Sequence, residues 1–147
     1  MTALLDINVL VAMLWPRHVF FQHARRWFAT HRGGGWATCP MSQAGLVRLY
    51  AQPAVMGVEI SPQEAMEVLE QTCAETDHVF WPQNSSITEL RPEIRQRLVG
   101  HKQLSDALLL DLAIRNGGRL VTFDQRMRVL LPAASPHQAA IEIISVA

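Results

Sequence analysis

The sequence predicts an α/β protein: a three-layer α/β/α fold on a mostly parallel five-stranded sheet, forming a single domain over residues 1–147. Three observations predict it. Short apolar β-type runs recur near residues 3, 36, 78, 119 and 141, with helical patterns between them, and that alternation argues for parallel strands covered by helices on both faces. The length of 147 residues and a hydrophobic content of 49% against 18% charged suit one folded domain with a real core. No internal repeat, low-complexity stretch or linker interrupts it.

The elements follow in order. Ala3–Leu5 is an apolar run that stops at a carboxylate, Asp6, and resumes with helical spacing at Val9, Leu10, Met13 and Leu14. Trp15-Pro16 ends that helix, because proline disfavours helical geometry in the residue before it. From Val19 to His31 the pattern is helical again, with Phe20, Ala24, Trp27 and Phe28 on one face, read as core. Gly33-Gly34-Gly35 breaks it, and Trp36 to Cys39 is the second strand. Pro40 opens a helix near Ser42 that Pro53 closes. Ser61-Pro62-Gln63-Glu64 combines an N-cap serine, a proline at the first helical position and a glutamate at the third, so a helix runs from there to about Thr76. His78 to Trp81 is the third strand, and a helix is expected over Glu89 to Val99. Ser105 is expected to cap the next helix, which Asn116-Gly117-Gly118 ends with glycine where left-handed geometry is needed. Leu120 to Phe123 is the fourth strand, with Asp124 directly after it. Gln125 to Leu131 is a short helix, and Ile141 to Val146 is the last strand.

Bulk charge excludes some functions. Lys+Arg and Asp+Glu are both 13, so net charge predicts no general pull toward nucleic acid or acidic membrane, and only a local patch supplies one. Lys102 is the sole lysine; the other basic residues are arginines, suited to phosphate and base stacking. Cys39 and Cys73 have no zinc spacing and read as reduced thiols. The six histidines form no metal-ligand spacing either. No apolar run approaches the ~20 residues that span a bilayer, and Asp6 falls where a signal peptide would be apolar, so a cytoplasmic protein without a membrane partner is expected.

The chemistry lies in the acids. In a parallel sheet, ligands sit beyond the carboxyl ends of the strands. Asp6 ends the first strand, Asp106 lies in the first turn of a helix that leaves from that edge, and Asp124 lies just past the fourth strand. Topology therefore places all three at one rim. Each also has a plain role, Asp6 and Asp124 as helix caps and Asp106 as a first-turn acid. Capping, however, does not require them at one crevice, and three like charges held close need a cation among them. An all-oxygen set favours Mg²⁺, or Mn²⁺, over zinc. Asp111 is excluded, since five residues after Asp106 it is rotated by roughly 140° and faces Arg115.

Four segments in order carry a resemblance: Leu-Leu-Asp-Ile-Asn-Val-Leu, Cys-Pro-Met-Ser-Gln-Ala-Gly-Leu-Val-Arg-Leu, Leu-Ser-Asp-Ala-Leu-Leu-Leu, and Gly-Gly-Arg-Leu-Val-Thr-Phe-Asp. Over essentially the whole chain they resemble the PIN-domain ribonucleases, and within them the VapC-type toxins of bacterial toxin–antitoxin pairs. The resemblance implies a PIN-like fold and a Mg²⁺-dependent endoribonuclease that cuts a structured RNA such as tRNA or rRNA. It also implies a cognate VapB-like antitoxin as partner and a possible homodimer. Asp6, Asp106 and Asp124 match the family's first, third and fourth acids. Asn8 matches a polar position of the first motif, while Ser105 and Thr122 are expected to support the carboxylates. The second acid, usually glutamate, is Gln43 here. Its amide is at best a neutral oxygen ligand, and a three-aspartate variant, a weakened enzyme and an engineered inactivation all stay open. Arg126 and Arg128 are candidates to hold RNA phosphates, and Trp15 to stack a base.

Two alternatives belong to other classes. An aspartyl-phosphate phosphatase would want a second aspartate where Asn8 stands, and a receiver domain would want a lysine after a late strand, whereas Lys102 precedes its strand. A PIN-like module that binds RNA or antitoxin without cutting is the non-enzyme alternative, kept open by Gln43.

Overall fold

The computed structural model describes residues Met1–Ala147. Its five strands are β1 (Ala3–Leu5), β2 (Trp36–Thr38), β3 (His78–Phe80), β4 (Arg119–Thr122) and β5 (Ile141–Ile143). They form one sheet in the order β3-β2-β1-β4-β5, and every pairing is parallel. The expected sheet is therefore present, with all rather than most of its strands parallel. The chain moves outward from β1 to β2 and β3, then crosses back to β4 on the other side of β1. That reversal makes the carboxyl ends of β1 and β4 the topological switch point, the usual crevice in such sheets.

The helices are α1 (Ile7–Leu14), α2 (Phe21–His31), α3 (Pro40–Tyr50), the single turn α4 (Pro53–Met56), α5 (Pro62–Cys73), the single turn α6 (Pro92–Arg95) and α7 (Leu104–Arg115). They cover both faces, because successive strand side chains point to opposite sides. Ala3, Leu5, Trp36 and Val121 pack with residues of α1, α2, α3 and α5. Leu4, Ala37 and Leu120 pack on the other side with α6 and α7 through Ile94, Leu109 and Leu110. Both faces of the central strands β1, β2 and β4 are buried, which explains their continuous apolar runs in place of polar alternation, whereas the edge strand β3 is exposed at Val79 and Phe80. Where α1 crosses α3 the approach is close: a Cβ on Gly45 would lie 2.3 Å from Ile7 Cδ1. No helix is long and apolar enough to cross a membrane. Cys39 and Cys73 are free thiols, as expected.

Three expectations need correction. Glu89 to Val99 is not one helix but a 3-10 turn (Ile87–Glu89) followed by α6, because Leu90 and Arg91 are extended ahead of Pro92. Ser105 does not cap α7. A 3-10 turn at His101–Gln103 leads straight into the helix from Leu104, so Ser105 is already inside its first turn. Gln125–Leu130 is 3-10 throughout. The predicted end of α7 is present in full: Gly117 has φ 66°, its N–H reaches Ile114 O, and Gly118 N–H reaches Ala113 O, the paired bonds of a Schellman motif.

Candidate active site

Asp6 follows β1 and turns the chain into α1. One carboxylate oxygen accepts the Ile7 N–H at 2.7 Å, and the other accepts the Thr122 hydroxyl at 2.7 Å. Thr122, at the end of β4, is wholly buried. Its one O–H goes to Asp6, and its oxygen accepts the Asn8 side-chain amide at 3.2 Å and the Asp124 N–H at 3.0 Å. A hydroxyl has one donor and two acceptor positions, so Thr122 is fully used. It joins three of the predicted site residues. Asn8 also accepts the Phe123 N–H, at 3.3 Å, and so pins the strand end from the α1 side.

Asp124 caps the turn after β4 by accepting the Arg126 N–H at 2.9 Å, and the Arg126 guanidinium folds back onto the same carboxylate at 2.9–3.3 Å. Asp6 and Asp124 are thus caps as well as rim residues. Asp106 lies in the first turn of α7. Its proton affinity registers its neighbours: burial first, then the negative charges of Asp6 and Asp124, push its carboxyl up to about 6, against the opposing charge of Arg126. Burial also raises Asp6, while the bonds from Thr122 and Ile7 pull it back and the Asp124 charge pushes it up again. Asp124 alone is held below the usual carboxylate range, by its hydrogen bonds from Arg126. Mutual influence of this kind needs nearby charges in a poorly screened setting. The three acids share the switch-point rim, although no three acidic, histidine or cysteine side chains close to the spacing that would ligate one ion.

The other predicted residues divide. Gln43 stands in the first turn of α3 as expected, but its amide N–H donates to Thr38 Oγ1 at 3.0 Å, and Thr38 in turn contacts His78 Nε2 at 2.8 Å. Ser105 is exposed and takes no hydrogen bond, so it does not support the carboxylates. Arg126 is spent on Asp124, whereas Arg128 is exposed and free of any carboxylate. Trp15 is half-buried, edge-on to His18 at 5.7 Å, at the start of a ring series that continues through Phe20 to Phe123. Asp111 pairs with Arg115 at 2.6 Å and stays out of the rim. Phe123, between Thr122 and Asp124, was not singled out from sequence; its place after an apolar strand looked like plain core.

The PIN domain family model matches residues 3–130. This chain belongs to the PIN-domain family. The PIN-domain relatives include Ribonuclease VapC39 of Mycobacterium tuberculosis, 42% identical over 124 residues, 84% of this chain and 89% of the relative. Ribonuclease VapC38 of the same organism is 37% identical over 144 residues, 98% of this chain and 99% of the relative, and Ribonuclease VapC44 is 39% identical over 141. The four-segment resemblance therefore named the right family. Among solved structures, VapBC2 from Rickettsia felis, bound to a DNA fragment from its promoter, matches with a TM-score of 0.64 over 99% of this chain and 100% of that one. At 16% identity that match concerns the fold.

Proposed function

We propose that this PIN-domain protein is a Mg²⁺-dependent endoribonuclease, the toxin of a toxin–antitoxin pair, acting in the cytoplasm on structured RNA such as tRNA or rRNA to restrain translation. The observation that carries this reading is that Asp6, Asp106 and Asp124 lie on elements that converge on the switch point, where burial first and then the charges of Asp6 and Asp124 push Asp106 up to about 6. The ribonuclease names of the relatives support the reaction, and their VapC names support the toxin–antitoxin pairing.

The residues fit a hard divalent cation. The donors are all oxygens, and the surplus negative charge faces only one cation, an Arg126 side chain that is 89% exposed and easily displaced. Asp6 and Asp106 would hold the ion, with Mn²⁺ as a substitute. When bound, such an ion supplies Lewis acidity toward a phosphodiester and eases ionisation of water. The chain's own parts do the rest. Thr122 and the Ile7 N–H fix the Asp6 carboxylate. Asp124, once released by Arg126, orients the attacking water, and the freed Arg126 meets an RNA phosphate. Gln43 adds no charge, so a site with one ion rather than two follows.

A second reading, binding without cutting, draws on Gln43, whose amide N–H is given to Thr38. One assay separates them. RNA is incubated with Mg²⁺ and the wild type, Asp6→Asn, Asp106→Asn or Gln43→Glu, and the new 5′ ends are sequenced. The nuclease reading expects cutting by the wild type and losses in both aspartate variants beyond the roughly 10–100-fold typical of outer-shell changes. Equal wild-type and Asp6→Asn traces would leave only a binding module, and cutting by Gln43→Glu alone would mark the natural site as degenerate.

A further inference from the structure

The net charge of zero hides a strong segregation. Between Ile7 and Val58 there are five arginines and no acidic residue, whereas Glu59 to Asp77 holds six acids and no basic residue. The first span contains α2 and the second contains α5. Arg26 on α2 has no ion-pair partner, and Arg128 likewise has none.

One hollow lies beside the turn after β4 and a second beside this basic helix. The first, of about 340 Å³, opens next to Asp124 and is walled by Phe123, Gln125 and Arg128. The second, of about 240 Å³, runs along α2 and is walled by His23, Arg26, Trp27 and His31. Ile144 and Ser145 line both, so the two adjoin as one groove running from Phe123 and Gln125, the residues on either side of Asp124, to α2. Each hollow has one arginine and one large aromatic side chain in its wall, Arg128 with Phe123 and Arg26 with Trp27, and the nearby carboxylate of Glu142 is occupied by Trp27 and Arg119. The Gln125 side chain is exposed and makes no hydrogen bond within the chain. A groove with spare hydrogen-bonding groups, flat rings and unpaired arginines matches single-stranded RNA, whose bases stack while its phosphates take cations.

We propose that this groove carries the RNA strand on one side of the scissile phosphate. The nucleotide next to the cut sits in the hollow of Phe123, Gln125 and Arg128, and the following phosphates meet Arg26 and its neighbours on α2. The assignment rests on the ribonuclease reading and extends it to a strand path and a base-reading residue, Gln125. The acidic α5 repels RNA from its own part of the surface and so favours one direction of approach.

The test uses a short fluorescein-labelled single-stranded RNA of mixed sequence, titrated by anisotropy in an Asp106→Asn background that cannot cut. Arg26→Glu and Arg128→Glu, both at exposed positions, are expected to weaken binding about tenfold each and to lower the salt dependence by roughly one phosphate contact. Arg95→Glu on α6, also exposed, leaves binding unchanged. In the cutting-competent protein, Gln125→Ala shifts the nucleotide found at the new RNA ends. If the wild type cuts RNA while both reversals bind and cut as it does, the groove assignment falls and the nuclease stands. If the reversals spare RNA but abolish binding of a poly-glutamate peptide, the groove is a protein site and the assignment is again overturned. If the wild type neither binds nor cuts any RNA, the nuclease reading falls and takes the groove with it.

Discussion

Thr122 holds Asp6, Asn8 and Asp124 together through a single buried oxygen. Thr122→Val keeps the shape but leaves the Asn8 amide and the Asp124 N–H without their partner and Asp6 without its donor. A loss of about 1–3 kcal/mol in denaturant unfolding is expected, with Thr122→Ser recovering most of it; no loss in the valine variant would mean that the hydroxyl organises nothing. Asp106 gives a pH signature. Its carboxyl stays protonated to about pH 6 in the folded chain but only to about 3.8 when unfolded. Between those values the folded state holds the extra proton, so stability falls as pH rises, and the full penalty is present above pH 6. In metal-free buffer Asp106→Asn should therefore melt higher than the wild type at pH 7.5, with the gap closing near pH 4. A gap independent of pH would contradict the coupling. The positions of the three acids at element ends were legible from sequence because each sits at a boundary between element types. The setting of Gln43 was not, since its partner Thr38 is brought to His78 only through the parallel pairing of β2 with β3.

Among the elements, α7 was read well at its end and badly at its start. Its C-terminus obeys a local rule, because a glycine in left-handed geometry is visible in sequence. Its N-terminus depends on a preceding 3-10 turn in which Gln103 takes the Val99 and Gly100 N–H groups, and no cap residue announces that. The helix expected over Glu89 to Val99 failed similarly, since Pro92 restarts the chain there. The two glycines closing α7 have different duties. Gly117 is exposed with positive φ and nothing near its missing Cβ, whereas a Cβ on Gly118 would lie 2.5 Å from Thr2 O and 2.6 Å from the Trp81 ring. Gly117→Ala should cost about 1–2 kcal/mol from left-handed strain. Gly118→Ala should cost more, because rigid backbone and a buried indole cannot yield cheaply. Chemical denaturation of both variants checks that order, and the reverse would show the contact with Thr2 to be soft.

For the molecule as a whole, sheet order was the least legible feature. Alternation announced five strands and parallel pairing, but not that β1 lies between β2 and β4, which long-range packing decides. That placement ties global stability to the site. An ion bound only by the folded chain raises the melting temperature with its concentration, so Mg²⁺ should raise it for the wild type and not for Asp106→Asn. An equal rise in both would place the bound ion elsewhere.

The central position of β1 has a consequence for how the protein is made. Leu5 pairs with Val121, so β1 leaves the ribosome well over a hundred residues before its second neighbour, β4, arrives. Asp124 follows three residues later, and domains generally fold as their parts emerge. A nascent chain therefore carries Asp6 without the groups that complete its pocket until Thr122 and Asp124 have been made.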